Sequence, residues 1–165
     1  MTERTPIAAA MRVDDVGAAG PTGLPSGTQV LTLDGALPVE HLYPGDHVVT
    51  RRGARRLLAV SKVDLSAEAS IVEIAENALG GKPERATWLP AAQRVLLRDW
   101  RAHALYGQGQ ACVPVGQLAD GEYLRIVTAT AALSCYQLSF GRPEILYADG
   151  LELASADALV VRVAA

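Results

Sequence analysis

The strongest constraint on this chain is an internal repeat. Pro38-Val39-x-x-Leu42-x-x-Gly45-Asp46 recurs as Pro114-Val115-x-x-Leu118-x-x-Gly121-Glu122, 76 residues later. Upstream of each copy lies an apolar run ending in aspartate, Val30–Asp34 and Val95–Asp99, offset by 65 residues. The difference places an insertion around residues 101–111. In each copy Pro-Val opens a turn, Val and Leu three apart pin it to a core, and Gly permits the reversal. A duplicated unit of this kind predicts two β subdomains related by a pseudo-twofold axis.

The texture between the repeats agrees. Thr28–Leu33 is β-rich and stops at the hairpin signal Asp34-Gly35. Asp46–Thr50, Ala54–Leu65, Ile71–Ile74, Arg94–Leu97, Tyr123–Val127, Leu133–Phe140, Glu144–Tyr147 and Leu159–Val163 read as further strands. Val39–Leu42 is a short element before the turn at Pro44-Gly45, and Asn77–Arg85 reads as a loop. Only Ala129–Ala132 and Ala154–Ala158 have helical texture. Short strands at this spacing predict an all-β domain. Residues 1–22 show no sustained period and form an expected arm, with the domain spanning 23–165.

Composition narrows the function classes. The chain has 165 residues, a net charge of −3 and 13 Arg against 2 Lys, so no global basic field favours nucleic acid. No apolar run approaches the ~20 residues of a membrane span, and the N-terminus lacks the apolar centre of a secretory signal. A cytoplasmic protein is expected by default. Cys112 and Cys135 match no zinc or redox spacing and are expected to be buried free thiols.

The string Gly27-Thr28-x-Val30-x-Thr32-x-Asp34-Gly35-x-x-Pro38-Val39-Glu40-x-Leu42-x-x-Gly45-Asp46-x-Val48-x-Thr50 resembles the opening of the hedgehog/intein (Hint) domain, closest to its bacterial branch outside inteins. Arg94–Leu97 is similar to the strand after that family's histidine motif, Val113-Pro114-Val115 to its next segment, and Tyr136–Gly150 to its closing block. The resemblance covers about residues 23–155 and implies a horseshoe-like all-β fold. It also implies self-cleavage, in which a Cys or Ser at the first domain residue attacks the preceding carbonyl while a Thr/Ser-x-x-His motif supplies a proton.

This sequence departs from that pattern at each chemical position. The nucleophile falls on Gly23, the Thr/Ser on Pro90, the histidine on Gln93, and a frequent histidine of the closing block on Pro143. The resemblance thus implies the fold with a degenerate active site, and the expectation is a binding or structural module that has lost self-cleavage. Two alternatives stand beside it. One is an active autoprocessing domain cleaving near Gly23 or at Ser26, the only substitute nucleophile at the junction. The other is an unrelated small β-barrel binding a ligand.

Other constellations have simpler readings. Glu40-His41 and Asp46-His47 lack a third ligand motif and His103 is isolated, so no metal or other cofactor is expected. Arg51–Arg56 reads as a solvated hairpin tip. Trp88, Trp100 and Tyr106 are expected to fill the core. A protein partner is the one class of interaction left open.

Overall fold

The computed structural model describes residues 20–157. The expected strand at Leu159–Val163, most of the N-terminal arm and Ala158 lie outside them.

The described chain forms fourteen short strands and one helix. A three-stranded sheet orders β1 (Leu24–Pro25), β12 (Leu133–Ser139) and β6 (Ala59–Leu65). A second places β7 (Ser70–Ile74) between β11 (Leu124–Thr128) and β8 (Thr87–Pro90). The largest sheet runs β10 (Ala111–Pro114), β9 (Arg94–Leu97), β14 (Leu151–Ala154), β13 (Ile145–Ala148), β2 (Gln29–Thr32), β4 (His47–Thr50) and β5 (Gly53–Arg56), with β3 (Gly35–Pro38) paired to β2. The helix α1 (Trp100–Tyr106) joins β9 to β10.

The repeat is reproduced residue for residue. Hairpin β2–β3 pairs Gln29 with Pro38 and Thr32 with Gly35; hairpin β9–β10 pairs Arg94 with Pro114 and Leu97 with Ala111. Each runs into a 3₁₀ turn, Val39–His41 or Val115–Leu118. The turns are pinned alike, by Val39 N–H donating to the Thr28 carbonyl and Val115 N–H to the Gln93 carbonyl, both at 2.8 Å. Val39 and Val115 are fully buried in one core with Leu42 and Leu118. Burying such side chains stabilises the fold by about 1.5–3 kcal/mol each. A small satellite cluster gathers Leu65, Ile71 and Cys135.

Several expectations are corrected. Residues 54–65 make two strands, because Leu57 turns inward: it is fully buried, and its backbone pairs with Asp46 and Gly45 while Leu58 N–H bonds Ser139. The chain thereby passes from the largest sheet to the β1–β12–β6 sheet. Ala129–Ala132 is not helical, since Ala129 exchanges backbone hydrogen bonds with Glu68 and Ala69. Ala154 ends β14 rather than opening a helix. The insertion itself is the helix, capped by the Asp99 carboxylate, which accepts from Arg101 N–H, and ended by left-handed Gly107. Its buried face is Ala102 with Tyr106 one turn on, so Trp100 faces out and is 67% exposed, with the Arg101 guanidinium 5.0 Å from its ring. Trp88 and Tyr106 do pack against apolar clusters. Cys135 is buried but Cys112 only half-buried, and the two are not joined in a disulfide. Among the described residues no helix is long and apolar enough to cross a membrane.

Candidate functional site

The repeat positions the site. Its 65-residue offset carries Pro25 onto Pro90 and Thr28 onto Gln93, and both pairs close the same turn: Thr28 N–H donates to the Pro25 carbonyl and Gln93 N–H to the Pro90 carbonyl, each at 3.0 Å. Gln93 therefore enters β9 as Thr28 enters β2. Its side chain is buried and reaches across to the start of the other half, where Oε1 accepts from Gly23 N–H at 2.9 Å.

The orientation of that amide follows from its other contacts. Nε2 donates to the Ala154 carbonyl at 2.9 Å and to the Arg94 carbonyl at 3.1 Å. Turning the amide over would face oxygen toward two carbonyls and nitrogen toward an N–H. The group lying on the amide nitrogen of residue 23 is thus an acceptor.

Gly23 itself is buried with φ +145°, a conformation that disfavours any side chain. A Cβ there would lie 2.9 Å from Cys135 Cβ and 3.3 Å from the Tyr136 carbonyl oxygen. Across the bond, the Thr22 carbonyl accepts from Gln137 Nε2 at 3.1 Å. Cys135 carries no activation: burial, with a smaller contribution from the Asp64 carboxylate, pushes its thiol up to about 12.

Of the expected site residues, the structure joins Gly23 and Gln93 directly. Pro90 closes the turn beneath Gln93 and pairs with Ile71 in the β7–β8 ladder. Pro143 stands one step further out. It precedes Glu144, whose backbone N–H donates to Ser155 Oγ, and Ser155 follows the Ala154 carbonyl held by Gln93. Gln137 and Cys135 escape sequence reading, because their roles depend on the pairing of β1 with β12, Leu24 opposite Tyr136 and Pro25 opposite Cys135.

Ser26 is exposed, and the nearby Glu40 carboxylate accepts from the Gly27 N–H. That carboxylate is held below its usual range, chiefly by the Gly27 N–H it accepts at 2.7 Å, which makes it a poor base toward an alcohol. Asp46 likewise spends its carboxylate on Tyr43 N–H. Among the described residues no group of three His, Cys, Asp or Glu is placed to hold a metal ion.

The arginine run is mostly exposed, as expected of a solvated hairpin tip, and three of its arginines are also paired. Arg52 grips Glu144 through two hydrogen bonds, at 3.0 and 3.2 Å, and Arg55 lies 3.6 Å from the same carboxylate, which is 1% exposed. Arg51 and Arg98 pair with Glu152. Arg51, Arg52 and Arg55 thereby tie β4 and β5 to the closing hairpin. Beside the junction an open groove of about 1240 Å³ runs from the Pro25–Thr28 turn past Trp88 to Asp99.

Comparison with known proteins agrees with this geometry. The Hint domain family model matches residues 22–157. A bacterial intein-like domain from Clostridium thermocellum superposes with a TM-score of 0.58 at 14% identity, covering 82% of this chain and 99% of that one. A splice-inactive variant of the AceL NrdHF class 3 split intein gives 0.53 at 12% identity, covering 82% and 97%. At these identities the likeness shows the fold alone. No curated protein matches significantly. The family match spans most of the chain and begins at the clamped Thr22–Gly23 bond, so the chain belongs to the Hint domain family.

Proposed function

We propose that this Hint domain leaves its junction peptide intact and serves as a binding or structural module whose partner is a protein. The observation that carries the reading is the hydrogen bond from Gly23 N–H to Gln93 Oε1. Cleavage between residues 22 and 23 needs a nucleophile on residue 23 and a proton for the departing nitrogen. Gly23 has no side chain. Gln93 presents an oxygen that stabilises the neutral amide, and its own N–H groups are taken by Ala154 and Arg94. An amide does not donate a proton near neutral pH.

Cleavage at Ser26 is less well supported. The Pro25 carbonyl does accept from Thr28 N–H and, at 2.6 Å, from Thr28 Oγ1, but these bonds close a turn, and the neighbouring Glu40 carboxylate, held below its usual range, is a poor base.

The test is intact mass. Incubated with dithiothreitol or hydroxylamine, the full chain should remain one species of 17.4 kDa. A fragment starting sharply at Gly23 or Ser26, insensitive to protease inhibitors and accelerated by either reagent, overturns the reading.

A further inference from the structure

The two side-chain amides at the junction do more than fill a vacated site. β1 is two residues long: Ser26 N–H donates to the Ser134 carbonyl at its far end, and its ladder with β12 stops at Leu24 opposite Tyr136. Backbone pairing therefore ends before the Thr22–Gly23 peptide. Side chains make up the deficit at the preceding peptide bond. Gln93 Oε1 accepts its N–H at 2.9 Å, and Gln137 Nε2 donates to its carbonyl at 3.1 Å and lies 3.4 Å from Thr22 Oγ1. Thr22 and Gly23 are both buried there. The two amides come from distant parts of the fold. Gln93 is fastened to Ala154 of β14 and, through its carbonyl, to Val115 of the second 3₁₀ turn; Gln137 lies on β12.

We infer that the former cleavage junction is a peptide-bond clamp: Gln93 and Gln137 bind the Thr22–Gly23 peptide of their own chain and hold the segment preceding it against the domain. The inference rests on the non-cleaving reading and assigns that site a positive role, retention in place of release. The ligand class is a secondary amide in extended chain, which offers one donor and one acceptor at opposite ends. Cys135 closes the third side, because its Cβ sits where a residue-23 side chain would project. The clamp thus admits glycine and sets the direction in which the chain leaves.

Amide hydrogen exchange of the full chain reads this directly, with β9 and β14 amides as internal reference. Gly23 N–H should be protected in the parent protein. Gln137→Met keeps the side-chain length and removes both donors. It should lower Gly23 protection about fivefold, the equivalent of one ordinary hydrogen bond, and speed proteolysis between residues 20 and 24, while the reference amides hold. Gln137→Glu supplies a second reading. Its carboxyl donates to the Thr22 carbonyl only when protonated, so Gly23 protection relative to the reference should rise on acidification. An unprotected Gly23 in an intact parent chain, or protection indifferent to both variants, overturns the clamp alone. A chain cleaved between residues 22 and 23 overturns the non-cleaving reading instead, and mass spectrometry separates the two results.

Discussion

Gly23 donates its amide hydrogen to Gln93 Oε1 across 2.9 Å, although 70 residues of chain separate them. The bond joins the two positions at which the Hint resemblance would put the nucleophile and the histidine, and it sets an acceptor against the nitrogen that cleavage there would have to protonate. From this arrangement and the contacts around it come four measurable consequences.

Gly23→Cys does not restore a working nucleophile. The new Cβ meets Cys135 at 2.9 Å, and φ +145° is unfavourable for any side chain. Overpacking and backbone strain cost about 1–3 kcal/mol each. The melting temperature should fall by at least about 5 °C, and the chain should stay whole in dithiothreitol. Combining Gly23→Cys with Gln93→His supplies the missing proton donor and should cleave faster than the single variant. A single variant as stable as the parent, releasing residues 1–22, contradicts the geometry.

The Arg52–Glu144 pair should couple measurably despite the partly exposed arginine. Glu144 is 1% exposed and Arg52 47%, so Arg52→Ala strands a buried carboxylate with the more distant Arg55. The variant should be less stable than the parent, by less than the loss of a fully buried pair, because water surrounds the guanidinium. Urea unfolding of Arg52→Ala, Glu144→Ala and the double variant gives the coupling energy. Strict additivity would place the pair among surface contacts of no consequence.

Acid should weaken the fold through two capping carboxylates. Glu40 is held below its ordinary 4.5 chiefly by the Gly27 N–H, and Asp120 below 3.8 by the N–H groups of Leu124, Glu122 and Tyr123. Because folding lowers both values, the unfolded chain binds these protons first. The stabilisation is complete above about pH 4.5 and is lost as pH falls through the folded values. Glu40→Gln and Asp120→Asn should each flatten the acid limb of a stability–pH curve. An unchanged slope in both removes them from the account.

Cys135 should be inert in the native state. With its thiol pushed up to about 12, the thiolate fraction at pH 8 is on the order of 10⁻⁴. A disulfide reagent should label half-buried Cys112 first and reach Cys135 only at the rate of unfolding. Equal labelling of both thiols under native conditions would contradict the burial of Cys135.

Strands β2 and β9 and the Asp34-Gly35 reversal after β2 were legible in the sequence, whereas the return strands β3 and β10 emerged only with the fold. Turn residues and hydrophobic spacing are local, and the same signals occur twice in the same order. The helix was harder to read: Asp99 and Gly107 cap it at both ends, but seven residues give too short a period to register. Gly23, Pro90, Gln93 and Pro143 could be named from the Hint resemblance, and so could the missing side chains.

What the sequence by itself determined is therefore the duplicated all-β frame and which residues stand at positions 23, 90, 93 and 143, because both lie in short-range pattern and residue identity. Tertiary structure alone decided what surrounds the Thr22–Gly23 bond. The register of β1 on β12 brings Cys135 and Gln137 to residues 22 and 23, and the approach of β14 orients the Gln93 amide. It also set the exposed Arg51 and Arg52 against Glu152 and Glu144. Each of these contacts joins residues tens of positions apart, and its strength depends on burial and hydrogen-bond direction, which exist only once the sheets have assembled.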